Sequence, residues 1–339
     1  MRGKKLVLFV ILASLMMGNS SASPATTKNI TLAFQGPLTG PEAQIGTSQL
    51  DAVKFAVHHF NNRYEGIFNV SIVEVDDQGD PVIAQQVAPA VAVNPNIIGL
   101  VGSSYSGTSI MSSISYKAAN LPMISPSASR ASLTDTTAEV NGFPVFHRVV
   151  ALDKSIAPKL YGVATKDINS PRVFIVDDQQ TYGTIIGNDL KTFAPAEQVV
   201  GFDSVPYNTT DFSPQIVKMR AAAANVLIFT GYERQAAIFF KQLRDSGYSG
   251  VIAGSDSLDS GAIFQYAPIS VLEGVRLVSR TAPLLSVNKN LEDNFKEVLG
   301  RPSRIYASEA INAANVFLSC VARGSTTRSQ MLACIDGFS

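Results

Sequence analysis

Short apolar runs alternate with segments of helical periodicity along most of the chain. The runs at residues 30–35, 70–75 and 97–101 are short and rich in apolar and β-branched residues, which predicts buried strands. Between the first two runs, apolar residues recur at steps of three and four over residues 47–61, which predicts a helix with one apolar stripe. This order of strand, helix and strand is typical of a parallel sheet built from βαβ units.

The same alternation runs through two consecutive series. The first series closes with a strand at residues 145–149, and the second opens with a helix at residues 155–165. Further strands are predicted at residues 172–176 and 226–229. The chain is therefore predicted to be an α/β protein with two doubly wound parallel-sheet lobes, joined by a hinge near residues 146–153.

Two serine-rich turns, at residues 103–109 and 125–129, each follow a short apolar run. A helix predicted at residues 110–119 separates them. In a parallel sheet both turns leave the carboxyl ends of neighbouring strands, where helix N-termini and free backbone N–H groups converge. Hydroxyl and N–H donors suit a carboxylate, so these turns are the candidate site.

Polar turns also end the strands of the second series, and three of them carry Tyr182, Tyr232 and Asp256. If two sets of such turns face one another, they form a cleft between the lobes. Asp256 would supply a carboxylate to a cationic group, while the tyrosine rings would cover apolar parts of a ligand.

The first residues have the pattern of a secretory signal peptide. Arg2, Lys4 and Lys5 precede an apolar run at residues 6–17, which is too short to span a bilayer. Small residues follow, and cleavage is predicted after Ala22. We therefore expect residues 1–22 to be a signal peptide and the protein to be periplasmic, and the lack of a nearby cysteine argues against a lipid anchor.

The composition excludes several classes of protein. The formal net charge is zero, and no Lys/Arg cluster lies beyond the N-terminus, so nucleic-acid binding has no electrostatic basis. The chain has three histidines, His58, His59 and His147, and contains neither a G-x-S-x-G elbow nor a Walker or dinucleotide motif. We expect no enzymatic activity, no cofactor and no metal site.

The two cysteines, Cys320 and Cys334, flank a turn-like stretch between two helical patterns. In an oxidising compartment they could pair and link a helical hairpin. Sequence spacing does not establish the Cα distance that a disulfide needs, so an unpaired state stays equally open.

A set of short motifs supports a family resemblance through its order and spacing rather than through any single member. They are residues 36–40 (GPLTG), 76–81 (DDQGDP), 102–108, 124–129 (ISPSAS), 145–148 (VFHR), 182–183, 211–213 and 273–275. Over roughly residues 30–338 the chain resembles the type I periplasmic solute-binding proteins, specifically the leucine/isoleucine/valine-binding branch that serves ABC importers. The resemblance implies two lobes, joined by three crossing strands, that close on a ligand like a Venus flytrap.

The resemblance also implies roles for individual residues. Ser106 matches a serine that contacts the carboxylate of an amino acid. Ser127 and Ser129 match positions that hold the head group, and Ala128 between them belongs to the same set. Asp256 stands where an acidic residue pairs with the ammonium group.

Three tyrosines complete the predicted ligand set. Tyr182 and Tyr232 match aromatic positions of the second lobe, and Tyr105 lies where relatives line the pocket for the ligand side chain. Ile45 departs from the pattern, because the branched-chain relatives carry an aromatic residue there. Their side-chain pocket therefore does not carry over to this chain directly.

The lobe boundaries follow from the same resemblance. Residues 23–148 and 281–335 are expected to form the first lobe, and residues 149–280 the second. The family continues with another strand and a return to the hinge, whereas this sequence stops at Ser339, so a third crossing near residues 336–339 is either short or truncated.

The sequence thus predicts an exported protein that captures an amino acid, or a similar small polar solute, and delivers it to the membrane permease of an ABC importer. Two alternatives stay open. The same fold could bind an aromatic acid, an amide or a urea-like ligand, or the protein could act as a soluble ligand sensor.

Overall fold

The computed structural model describes residues 26–139 and 141–338. The predicted signal peptide at residues 1–22 lies outside the described residues. Within them the chain forms ten strands and thirteen α-helices, arranged around two separate sheets.

Both sheets are parallel throughout and have five strands. The first contains β1 (Lys28–Gly36), β2 (Phe68–Asp76), β3 (Ile97–Val101), β4 (Met123–Ser125) and β5 (Phe146–Arg148), in the order β2-β1-β3-β4-β5. The second contains β6 (Val173–Asp177), β7 (Val199–Ser204), β8 (Val226–Thr230), β9 (Val251–Ser255) and β10 (Arg276–Val278), in the order β10-β9-β8-β6-β7. The predicted class, an α/β protein with two doubly wound parallel sheets, is confirmed.

Helices flank both sheets. Before the hinge they are α1 (Ala43–Arg63), α2 (Pro81–Val93) and α3 (Ser106–Ala118). Between the hinge and β10 they are α4 (Ile156–Thr165), α5 (Thr181–Phe193), α6 (Ser213–Ala221), α7 (Glu233–Asp245), α8 (Ile263–Tyr266) and α9 (Ile269–Leu272). After β10 they are α10 (Leu284–Val287), α11 (Lys289–Leu299), α12 (Ala307–Ala322) and α13 (Arg328–Asp336). None of the helices within residues 26–139 and 141–338 is both long and apolar enough to cross a membrane.

The inner strands of each sheet are buried on both faces because helices cover both sides, whereas the edge strands β2 and β7 are partly exposed. Along β1, Leu32 and Phe34 pack in the core formed with α1 and α12, whereas Ala33 packs in the core formed with α2 and α3. Along β6, Ile175 and Phe174 alternate in the same way between two cores of the second sheet. Because successive side chains of a strand point to opposite faces, two-sided burial requires apolar residues at almost every strand position.

The two sheets share one connection pattern. In each sheet the chain moves outward from the first strand to the second, then returns past the first strand to the third. The chain therefore reverses direction between β1 and β3 in the first sheet and between β6 and β8 in the second. Such a reversal opens a crevice at the carboxyl ends of the flanking strands. The polar turns predicted to form the site leave the sheets at these crevices.

The structure differs from the predicted elements mainly at helix ends. The helix predicted at residues 110–119 begins four residues earlier, at Ser106, because the Thr108 hydroxyl accepts a hydrogen bond from the backbone N–H of Tyr105 and stabilises the first turn. The short helices α8, α9 and α10 were not predicted. Segments of four residues are too short to show a helical period.

Two segments connect the lobes, one after β5 and one after β10. A hydrogen bond joins the two segments, in which Nη1 of Arg280 donates to the carbonyl oxygen of Ala151 at 3.2 Å. The expected third crossing near residues 336–339 is not seen up to residue 338, since α13 packs on the first lobe through Met331 and Ile335. Residue 339 lies outside the described part of the chain.

A disulfide bond joins Cys320 of α12 to Cys334 of α13, with the two Cα atoms 5.9 Å apart. The two helices that it links both contribute to the core of the first lobe. The bond therefore holds the C-terminal hairpin against the sheet that carries the serine-rich turns.

Replacing both cysteines with alanine should lower the free energy of unfolding by about 3 kcal/mol, because the closed loop of 14 residues restricts the unfolded chain. Chemical denaturation under oxidising conditions measures this difference. A reducing agent should destabilise the wild-type protein by a similar amount and leave the double variant unchanged. Equal stability of the two proteins before reduction would contradict the prediction.

Candidate functional site

The turns that end the strands of the two sheets meet at one narrow cavity of about 20 Å³, which has room for about one water molecule. Ligand pockets of proteins have about 300–1,000 Å³, so a solute can enter only when the lobes move apart. Its lining residues are Ile45, Ser104, Tyr105, Ser106, Ser127, Tyr182, Tyr232, Ser257, Arg280 and Tyr306. The lining comes from both lobes and from the second crossing segment, so opening the lobes would take the cavity apart.

The two serine-rich turns of the first lobe are bonded to each other. The Ser125 hydroxyl donates to the carbonyl of Ser103 at 2.6 Å, and the Ser127 hydroxyl donates to the carbonyl of Ser104 at 2.6 Å. Gln49 of α1 braces both turns, since its amide donates to the Ser127 hydroxyl and accepts from Ser104. The serine hydroxyls thus hold fixed positions.

Gly102 allows these turns to lie close to the first strand. Its φ is +131°, and a Cβ atom there would lie 2.2 Å from the carbonyl oxygen of Gln35. No residue with a side chain fits this approach, so the turn after β3 depends on glycine.

Ser106 is the first residue of α3 and is buried at the cavity wall. The first backbone N–H groups of a helix have no partner within the helix, and the helix dipole places partial positive charge at this end. Together with the Ser106 hydroxyl, this end of α3 can bind a carboxylate.

Tyrosine rings form the opposite wall. The ring centroids of Tyr105 and Tyr232 lie 4.6 Å apart across the lobe boundary, and Tyr182 lies 6.1 Å from Tyr232. Both Tyr182 and Tyr232 follow the strands that flank the reversal of the second sheet. The aromatic wall suits the apolar part of a ligand.

The carboxylate of Asp256, at the end of β9, is completely buried. It accepts hydrogen bonds from the hydroxyls of Tyr182 at 2.7 Å and Tyr306 at 2.6 Å. It also forms a salt bridge with Arg280, whose Nε and Nη2 atoms lie 2.9 and 2.8 Å from Oδ2. Tyr306 precedes α12 on the first lobe, so Asp256 connects the second lobe to the first.

A second buried connection joins the lobes through two carboxyl groups. Glu42, just before α1, accepts hydrogen bonds from Tyr105 at 3.2 Å and from Tyr207 of the second lobe. Glu233, at the start of α7, lies close enough for the charge of Glu42 to act on it, and its buried Oε2 atom has no hydrogen-bond partner among the described residues. Burial raises the pKa of both glutamates, and the charge of Glu42 raises that of Glu233 further.

Asp178 lies in the turn after β6, next to the turn that carries Tyr232. Its Oδ1 atom accepts from the backbone N–H of Gln180, but its Oδ2 atom is buried and has no hydrogen-bond partner among the described residues. Burial, reinforced by the charges of Asp177 and Glu42, raises the pKa of Asp178 to about 8. At neutral pH this carboxyl is therefore largely protonated.

The structure brings most of the predicted residues together. Five of them line the cavity: Tyr105, Ser106, Ser127, Tyr182 and Tyr232. Asp256 lies behind Tyr182 and Arg280. Ser129 and Ala128 do not reach the cavity wall, since Ala128 packs in a core of the first sheet and the buried Ser129 hydroxyl has no partner in the described residues.

Sequence reasoning did not identify Glu42, Glu233, Arg280 or Tyr306. The two glutamates lie at helix starts, where acidic residues commonly interact favourably with the helix dipole. Their position in the sequence therefore gave no indication that they lie near each other. One feature of the sequence could have identified Arg280, because it is a cation directly after a predicted strand at the second crossing. Within residues 26–139 and 141–338 no group of three His, Cys, Asp or Glu side chains is placed to hold a metal ion.

Asp178→Asn should become more stabilising as the pH rises from about 4 to 8. The wild-type carboxyl must stay protonated in the folded state while it ionises in the unfolded state, so wild-type stability falls over this range by up to ~1.4 kcal/mol per pH unit. Urea unfolding of both proteins at several pH values measures the difference, which should be smallest at pH 4.

Asp203→Asn is the matched control. Burial acts to raise the pKa of Asp203, but hydrogen bonds from Lys218 and Gln215 outweigh it and lower that pKa. Above about pH 5 this carboxyl is therefore ionised in both the folded and the unfolded state, and the stability difference for this variant should stay constant between pH 5 and 8. A constant difference for Asp178→Asn as well would refute the raised pKa.

Known proteins with a similar sequence or fold point to one family. The chain is 25% identical to the leucine-, isoleucine-, valine-, threonine- and alanine-binding protein of Pseudomonas aeruginosa over 310 residues, which cover 90% of this chain and 81% of that protein. Its fold is similar to a branched-chain amino acid transporter substrate-binding protein from Streptococcus pneumoniae in complex with isoleucine, with a TM-score of 0.81 and 19% identity over 91% of this chain and 88% of that one.

A solute-binding protein of an ABC transporter from R. palustris in complex with benzoate has a TM-score of 0.77 and 17% identity, over 91% of this chain and 85% of that one. Residues 29–339 match the family model described as periplasmic binding protein. The chain therefore belongs to the periplasmic binding protein family.

Proposed function

We propose that the protein captures an amino acid, or a similar small polar solute, between two closing lobes and delivers it to the membrane permease of an ABC importer. The observation that carries this proposal is the single cavity at which the carboxyl ends of both sheets converge. Each lobe supplies part of its lining, so a bound solute would stabilise the closed arrangement over the open one.

The chemistry of the lining supports a ligand with a carboxylate and an apolar portion. Ser106 at the start of α3, with Ser127 beside it, offers donors to a carboxylate. Tyr105, Tyr182 and Tyr232 offer rings to an apolar side chain. Amino acids combine these two features.

Relatives support the transport role. The P. aeruginosa relative is named for the amino acids that it binds, and the S. pneumoniae protein holds isoleucine within the same fold. A permease partner, a periplasmic location and removal of residues 1–22 as a signal peptide complete the proposal. The role is binding and delivery rather than catalysis.

Ser106→Ala should weaken binding of the preferred amino acid by about 10-fold to 100-fold, because a hydrogen bond to a charged group contributes about 1.5–3 kcal/mol. Isothermal titration calorimetry of the mature protein with the twenty amino acids identifies that ligand and measures the loss. Thermal unfolding with each amino acid provides an independent readout.

Ser213→Ala is the control, since Ser213 is also the first residue of a helix but lies exposed on α6, away from the cavity. This variant should bind like the wild-type protein. The proposal fails if no amino acid releases heat or raises the unfolding temperature, and the assignment of Ser106 fails if both variants bind equally well.

A further inference from the structure

The charge of Asp256 is already compensated within the protein. Four donor contacts reach its carboxylate, from Tyr182, from Tyr306 and from the Nε and Nη2 atoms of Arg280. Three of these contacts reach Oδ2 and one reaches Oδ1, and the Asp256 side chain is completely buried behind the residues that line the cavity. A ligand would have to move Tyr182, Tyr306 or Arg280 to reach this carboxylate.

Displacing Arg280 would be costly. Its side chain is only 5% exposed, and it donates from Nη1 to the Ala151 carbonyl while its guanidinium carbon lies 5.4 Å from the centre of the Tyr182 ring. Breaking a buried ion pair leaves an uncompensated charge, which is far less stable than the intact pair. Arg280 therefore holds a fixed position in the cavity wall, with Asp256 behind it.

The remaining lining provides no second anion. Among the residues of the described chain that line this cavity, Arg280 alone carries a charge. The carboxyl groups of Glu42 and Glu233 lie outside the lining, where Glu42 accepts from the hydroxyls of Tyr105 and Tyr207 and Glu233 accepts from that of Ser260. An ammonium group in the cavity thus meets hydroxyls and carbonyls rather than a free carboxylate.

The carboxylate of a ligand, unlike its ammonium group, finds suitable partners in the cavity. It meets the N-terminus of α3 and the Ser106 hydroxyl, both of which lie at the cavity wall and favour negative charge. The cavity therefore favours the anionic half of an amino acid and contributes little to its cationic half.

We propose that Arg280 determines specificity by taking the charge of Asp256, so that the site binds carboxylates with similar affinity whether or not they carry an α-ammonium group. This inference rests on the proposed function, in that the cavity is the solute site. It extends the ligand class from amino acids to the carboxylates with the same side chains.

Matched pairs of compounds test the inference on the wild-type protein. The pairs are leucine with 4-methylpentanoate and phenylalanine with 3-phenylpropanoate, each differing only by the amine, and calorimetry at pH 8 gives their dissociation constants. We expect the two members of the better-bound pair to differ by less than fivefold. An amino acid that binds more than 100-fold tighter than its partner overturns this inference and leaves the proposed function intact.

Arg280→Gln supplies the second test, because it leaves the Asp256 carboxylate without a counter-charge. An ammonium-bearing ligand then provides one, so the preference for the amino acid over its partner should rise at least tenfold. The double variant Asp256→Asn/Arg280→Gln removes both charges and should return the preference to the wild-type value. An unchanged preference in Arg280→Gln, with folding verified by circular dichroism, overturns the role of Arg280.

Failure of the proposed function has a separate signature. If neither member of either pair, nor any other amino acid, binds the wild-type protein, then the proposed function is wrong and this inference falls with it. The wild-type comparison needs no variant, so a variant that fails to fold does not weaken the test.

Discussion

A buried carboxylate can persist in a folded protein only where donors and an opposite charge surround it, and Asp256 meets this requirement with groups from three parts of the chain. Tyr182 comes from the turn after β6, Arg280 from the second crossing segment, and Tyr306 from the first lobe. The cavity exists in its closed form because these groups meet at one point. Tyr182, Arg280 and Tyr306 are far apart in the sequence, but all three contact the carboxylate of Asp256.

The position of that charge follows from the connections of the sheets. Strands covered by helices on both faces leave no room for polar side chains along their length, so polar groups gather at the strand ends. Both sheets reverse direction between their first and third strands, and the crevices that result face each other. Serines and tyrosines from the turns of both sheets then reach the same small volume.

The sequence predicted the fold well because the signals for it are local. Continuous apolar runs such as residues 97–101 and 226–229 have one stable solution, a strand buried on both faces, and their alternation with helical segments allows only parallel sheets. Helix starts were harder to predict. The hydroxyl contact that begins α3 at Ser106 depends on side-chain geometry within one turn rather than on periodicity.

The candidate site was predictable in part, and the missing part consists of contacts between distant residues. Tyr105, Ser106 and Ser127 were predicted as site residues because they lie in turns at the ends of strands. Nothing in the local pattern around Arg280 indicates that it lies against Asp256, 24 residues earlier in the chain. Pairing of charges depends on how the second lobe folds, and a single sequence carries no record of that pairing.

Two buried groups of side chains connect the lobes, one around Asp256 and one around Glu42, and they stabilise buried carboxyl groups in different ways. Asp256 is neutralised by Arg280, a cation of the second crossing segment that lies 2.8 Å from its carboxylate. Glu42 and Glu233 belong to opposite lobes, and burial raises the pKa of both, which favours their protonated forms. An ion pair thus balances the charge on one side of the cleft, whereas on the other side two acids are buried near each other and burial raises the pKa of both.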